Sequence, residues 1–64
     1  MKEINLKDTY KYLGKTVLLK NGKSEKKVKI MVSGGPIHIL SDNNSFVGIV
    51  EDGKLSVPGK LYEI

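Results

Sequence analysis

Cysteine is absent from this 64-residue chain. No disulfide can reinforce the core, and the thiolate sites of structural zinc and iron–sulfur clusters are excluded. A chain this short holds one core, so residues 1-64 are expected to form a single small domain. One core of this size supplies only about 3–5 kcal/mol, which makes a homo-oligomer that buries more apolar surface an expected arrangement. Long apolar runs are missing as well: nowhere do about 18 uncharged apolar residues follow one another. The opening stretch MKEINLKDTY is charged throughout, where a signal peptide would be apolar. The expectation is a cytoplasmic protein with no membrane partner, and the lack of cysteine fits a reducing compartment.

Arginine is absent too. All 11 basic residues are lysine and stand against 7 acids, for a net charge of +4. Arginine carries the rigid bidentate fork that reads guanine edges, whereas lysine is a flexible point charge. Sequence-specific base reading is therefore disfavoured and phosphate attraction is not. AT-rich codon usage would produce the same lysine bias with no functional meaning.

Along the chain, Leu6, Tyr10 and Leu13 fall at i, i+4 and i+7, the spacing of one face of a short helix over residues 5-13. Asn5 or Asp8 can cap its start, and Gly14 stands where it would stop. Strands follow over 15-64. Thr16 to Lys20 is β-branched and apolar, and Asn21-Gly22 signals a hairpin. In the return strand, Lys27 to Val32, the residues Val28, Ile30 and Val32 face one side and the lysines the other. Ser33-Gly34-Gly35-Pro36 breaks the run before Ile37 to Leu40, and Asp42 to Ser45 forms a second loop. Phe46 to Val50 makes a fourth strand, Glu51-Asp52-Gly53-Lys54 a tight turn or a bulge before Leu55 to Val57, and Lys60 to Ile64 a closing strand, which counts five strands, or six if the fourth breaks at Gly53.

A short helix and about five short strands are too little chain for an immunoglobulin-type sandwich. Curling one sheet on itself removes exposed edges and shares one core, so the expected fold is mostly β, a small SH3-like or OB-like barrel.

The stretch Tyr12-Leu13-Gly14-Lys15-Thr16-Val17-Leu18-Leu19-Lys20-Asn21-Gly22-Lys23 resembles the opening of Sm-like (LSm/Hfq-type) proteins, in which an N-terminal helix leads into a first strand and an Asn-Gly-type turn. The tail Val57-Pro58-Gly59-Lys60-Leu61-Tyr62-Glu63-Ile64 is similar to the second Sm motif. The resemblance implies a five-stranded antiparallel SH3-like or Sm-like barrel that assembles into rings, with Gly59 as a turn glycine and Lys60 as a phosphate contact. The Asp and Asn of the family's first motif are not matched in Ser33-Gly34-Gly35-Pro36-Ile37, and Pro58 stands where the family has a basic residue. Those are the residues that build the family's uridine pocket, so the resemblance bears on fold and assembly more than on RNA.

Lys15, Lys20, Lys23, Lys26, Lys27 and Lys29, with Glu25 the one acid among them, make the first hairpin basic. Such lysines either track a phosphate backbone or form a solvated face that discourages edge aggregation. Of the four aromatics, Tyr10 and Phe46 fall at core positions. Tyr12, off the helix's apolar face and beside Lys11, is the candidate for base stacking, with covering a barrel end as its structural role. His38 is the only histidine, and alternation points it away from Ile37 and Ile39. It lacks the partners of a zinc site or an activated nucleophile and reads as a surface or interface residue, which at a subunit contact would make assembly pH-dependent. Ser33-Gly34-Gly35-Pro36 precedes a strand where a phosphate-cradling loop would precede a helix. Asp42, Glu51 and Asp52 could hold a divalent ion weakly, but they match no EF-hand spacing and turn chemistry accounts for them.

No nucleophile with its base, carboxylate pair or metal cluster emerges, so the expectation is a binding module, not an enzyme, with no cofactor. The first expectation is a nucleic-acid-associated module that holds RNA or DNA backbone through Lys20, Lys23, Lys27, Lys29 and Lys60, with Tyr12 stacking. The second is a protein-interaction or ring-forming assembly module, a compact regulator of the kind found in bacteria and their phages.

Overall fold

Alternating apolar residues after Gly14 form a single antiparallel sheet in the computed structural model, which describes residues 2–32 and 34–64. Its strands are β1 (Thr16–Asn21), β2 (Ser24–Val32), β3 (Ile37–Ser41), β4 (Phe46–Glu51), β5 (Lys54–Leu55) and β6 (Lys60–Tyr62). They lie in the order β5-β4-β3-β2-β1-β6. The described residues thus form six strands, not the five expected, because Asp52-Gly53 breaks the fourth and sends β5 back along it, pairing Glu51 with Lys54. Asp52 (φ 54°) and Gly53 (φ 71°) are both left-handed. That is the requirement of a two-residue type I′ hairpin, which Asp-Gly meets at little cost.

The first hairpin forms one residue later than Asn21-Gly22 implies. Asn21 pairs with Ser24, so Gly22 and Lys23 are the turn residues. In the Ser33-Gly34-Gly35-Pro36 loop Ser33 lies outside the described residues, while Gly34, Gly35 and Pro36 form a bend leading into β3.

The sheet curls into a half-barrel and does not close. Its inward side chains make one core: Val17 and Leu19 of β1, Val28 and Ile30 of β2, Ile39 of β3, Val50 of β4 and Leu61 of β6, joined by Ile4. Val17 lies opposite Val28, and Ile30 opposite Ile39. Burying each such side chain stabilises the fold by about 1.5–3 kcal/mol. Val32, expected inside, is 49% exposed. It has the inward parity but sits at the last position of β2, where the core ends.

The N-terminal helix is a 3-10 helix, Leu6–Tyr12, capped by the Asn5 side chain, which accepts from the Lys7 N–H at 2.9 Å. Its period of three residues per turn changes the buried face. Leu6, Thr9 and Tyr12 line up toward the core, and Tyr10, placed there by a 3.6-residue period, is 58% exposed, with Leu13 at 44%. The buried Thr9 hydroxyl donates to the Leu6 carbonyl at 2.9 Å, so no polar group is stranded.

Phe46 is the second displaced aromatic. In β4, Gly48 faces Ile39 and Phe46 faces Leu40, so the ladder spends two residues of β4 on one of β3. The extra residue is a β-bulge at Val47, and it reverses the parity beyond it. Val47 packs against the core and Phe46 is 64% exposed on the other side.

Both sheet edges are short. Beside β6 runs the N-terminal stretch, where the Ile4 N–H donates to the Leu61 carbonyl and the Glu63 N–H to the Lys2 carbonyl, each at 2.8 Å. On the other side β5 has two residues, after which the Ser56 N–H donates to the Ile49 carbonyl at 2.9 Å and the Ile49 N–H to Ser56 Oγ at 2.9 Å.

The Ser56–Gly59 crossover reaches β1 only through a close backbone contact. A Cβ on Gly59 (φ 125°) would stand 2.6 Å from the Lys20 carbonyl oxygen. Gly59→Ala is expected to lower stability by about 1–3 kcal/mol by forcing β6 off β1, measured by urea unfolding. Unchanged stability would mean that β6 docks differently.

Candidate nucleic-acid interface

The core assigns every second residue of the strands to the outer face, and strand register then arranges these residues in rows. Lys20 lies opposite Lys60 on one side and Glu25 on the other. Leu18 lies between Tyr62 and Lys27. Lys29 stands between Thr16 and Leu40, with Phe46 beyond Leu40. Met31 and Ile49 flank His38.

Four of the five lysines singled out from the sequence therefore share one face: Lys20, Lys27, Lys29 and Lys60. Lys23 stands apart at the tip of the β1–β2 turn, and Lys26 has the inward parity of Val28. Lys20 is engaged by two neighbours, with its Nζ 3.9 Å from a Glu25 oxygen and 5.4 Å from the centre of the Tyr62 ring. Among the described residues, no carboxylate lies within ion-pair distance of Lys27, Lys29 or Lys60. Cations without a local partner are the ones able to take a phosphate.

Tyr12 is not on this face. It packs against the core, and its hydroxyl donates to the Glu63 carboxylate, tying the 3-10 helix to the end of the chain. That hydrogen bond, then burial, then the negative charges of Glu63 and Asp8, push the Tyr12 phenol above its usual value.

The aromatics that do share the face are Phe46, His38 and Tyr62. Alternation alone could have assigned Tyr62, because Leu61 points inward. Phe46 could not be found this way, because the bulge that turns it outward leaves no mark in the pattern. Phe46 and His38 meet edge to face, with ring centres 5.9 Å apart and planes at 69°. His38 Nδ1 lies 2.9 Å from the Pro36 carbonyl. A carbonyl only accepts, so Nδ1–H is the donor in this bond.

Two hollows flank the rows. One of about 420 Å³ is lined by Lys20, Gly22, Gly59, Lys60 and Tyr62. The other, about 440 Å³, opens at the mouth of the half-barrel between Leu19, Lys26, Phe46, Val47 and Val57. Asp42, Glu51 and Asp52 remain in turns, and among the described residues no three His, Cys, Asp or Glu side chains gather as metal ligands would. No described helix is long and apolar enough to cross a membrane.

Compared with known proteins, the chain matches no family model, no curated protein and no solved structure.

The Tyr12 bond has a testable sign. A phenol whose value is raised in the folded state stabilises the fold below its unfolded value, 10.0, and loses that contribution as pH rises through the folded value. Tyr12→Phe is expected to be less stable than the parent at pH about 8, with the gap closing at higher pH as the parent's phenol ionises. Urea unfolding of both proteins on either side of the transition measures this. An equal gap on both sides would remove the Tyr12–Glu63 bond from the account.

Proposed function

We propose that the protein is a small non-catalytic binding module that holds nucleic acid across the outer face of its sheet, chiefly through phosphate contacts. The observation that carries this reading is the gathering of Lys20, Lys27, Lys29 and Lys60 on one face, against two acids in their rows, Glu25 opposite Lys20 and Glu3 opposite Tyr62. Lysine neutralises phosphate without reading bases, so affinity would be tolerant of sequence and strongly dependent on salt. The finer description of the fold, a barrel of SH3-like or Sm-like type, belongs to the same proposal. It is supported by the antiparallel run from β1 to β5 and by the return of β6 to the free side of β1.

Assembly into rings, or recognition of a protein by strand addition, is the competing proposal. Both need an open sheet edge. Here the β6 edge is partly taken by the N-terminal stretch, and the β5 edge offers a two-residue strand carrying Lys54. The lysine face is the more extensive feature, so nucleic acid is placed first.

Replacing Lys27 and Lys29 by Gln is expected to weaken binding to oligonucleotides of different sequence by similar factors. It should also reduce the slope of log affinity against log salt by roughly 1.4–1.8, the share of two phosphate contacts. Fluorescence anisotropy over a salt series reads both quantities. A slope equal to the parent's would overturn the assignment of these lysines to phosphate, and binding to a protein partner that survives high salt and added polyanion would favour the assembly module.

A further inference from the structure

The lysines explain attraction to any nucleic acid, yet they share their face with side chains that a phosphate backbone has no use for. Phe46 is 64% exposed in a chain whose other large apolar side chains mostly pack inside, and it does not shield itself against the core. Its one aromatic neighbour is His38, held by the Pro36 carbonyl so that ring orientation is set before any ligand arrives. At the other side of the sheet the Tyr62 ring lies under the Lys20 ammonium, beside the hollow lined by Lys20, Gly22, Gly59 and Lys60. Lys27 and Lys29 lie on β2, between these two aromatic ends.

We infer that the occupant of this face is a single-stranded nucleic acid, with a base stacked on the Phe46–His38 pair and the backbone running over Lys29 and Lys27 toward the Lys20–Lys60–Tyr62 hollow. The inference rests on the phosphate reading of the lysines and adds the substrate class. A base in a duplex has both faces covered by its neighbours, so an exposed ring can stack only on a base already unpaired. The sheet offers no helix to enter a groove, since the 3-10 helix has its Leu6, Thr9 and Tyr12 side turned to the core. Four strand steps separate Phe46 on β4 from Tyr62 on β6. At about 4.8 Å per step that is a run of ~19 Å, room for the four or so nucleotides at the low end of single-strand site sizes. Stacking is indifferent to base identity, which agrees with a binding surface that contains no arginine.

The test compares a labelled oligothymidylate of about twelve nucleotides with a mixed-sequence duplex of the same length. Anisotropy is measured for the parent protein, for Phe46→Ala, Phe46→Leu and Phe46→Trp, and for the Lys27→Gln, Lys29→Gln double variant. Phe46 is outside the core, so its variants are expected to unfold at the parent's temperature. The parent should prefer the single strand. Phe46→Ala and Phe46→Leu should weaken that binding by about 5- to 150-fold with the salt slope unchanged, and Phe46→Trp should retain it. The leucine variant keeps the apolar surface and removes the ring face, which separates stacking from general stickiness.

Equal affinity for duplex and single strand, or Phe46→Leu binding like the parent, would overturn the inference. So would a dimer in solution that Phe46→Ala dissociates, because the face would then be covered by a second copy. If the parent binds with a lysine-dependent slope and the Phe46 variants are indifferent, the stacking inference falls and the phosphate reading stands. If neither probe binds at low salt, both fall together.

Discussion

Ile30 and Ile39 face each other across β2 and β3 with no exposed surface, and the rest of the architecture depends on that contact. A strand's side chains alternate with period two, so pinning one inward residue assigns every other residue of that strand to a side. Ile30 sends Lys29 and Met31 outward, and Ile39 does the same to His38 and Leu40. Shifting β2 by one residue against β3 would turn Val28 and Ile30 into solvent and Lys27 and Lys29 toward the core. The cost of such a slip, several apolar burials and at least one unpaired buried charge, exceeds what a domain of this size has to spare. Register is therefore the property most strongly specified, and the outer face inherits it.

What was legible in the sequence follows from the same parity. Val17 and Leu19, Val28 and Ile30, and Ile39 could all be assigned to the core from alternation, and Asp52-Gly53 announced its turn. The outward direction of Lys20, Lys27, Lys29 and Lys60 was equally open to that reasoning. Two aromatic residues escaped it for separate local reasons. Tyr10 was placed inside by a 3.6-residue period, whereas the 3-10 helix turns once every three residues and buries Thr9 and Tyr12 instead. Phe46 was placed inside by strict alternation with Gly48 and Val50, and the bulge at Val47 cancels that alternation by one residue. Neither a helix type nor a bulge is encoded in polarity alone, because both are chosen by what the backbone must reach in three dimensions.

The pairing of β6 with β1 was invisible for a different reason. It joins residues about forty positions apart in sequence, and no local pattern identifies a strand's neighbour. Yet that pairing converts a basic hairpin into a basic face. Without it Lys60 and Tyr62 would lie on an unattached tail; with it they stand beside Lys20 and Leu18. Gly59 makes the pairing possible, since the crossover brings its backbone against the Lys20 carbonyl where a Cβ has no room. The turn glycine implied by the resemblance in sequence and the close approach seen in the fold thus concern the same residue, although the contact alone shows nothing about ring assembly.

Lysines on an exposed sheet face admit two physical readings. Charge spread over an exposed sheet keeps molecules apart, and that need alone would account for Lys27 and Lys29. It does not account for Phe46. A domain guarding against aggregation gains by removing a ring from its surface, and here the bulge brings one out while seating the smaller Val47 against the core. Apolar surface that charge is said to protect would be better protected by absence. A cationic face that also presents a preoriented aromatic pair is better matched to a ligand with alternating charge and flat apolar rings than to water, and a nucleic-acid strand with its bases unpaired has that alternation along its whole length.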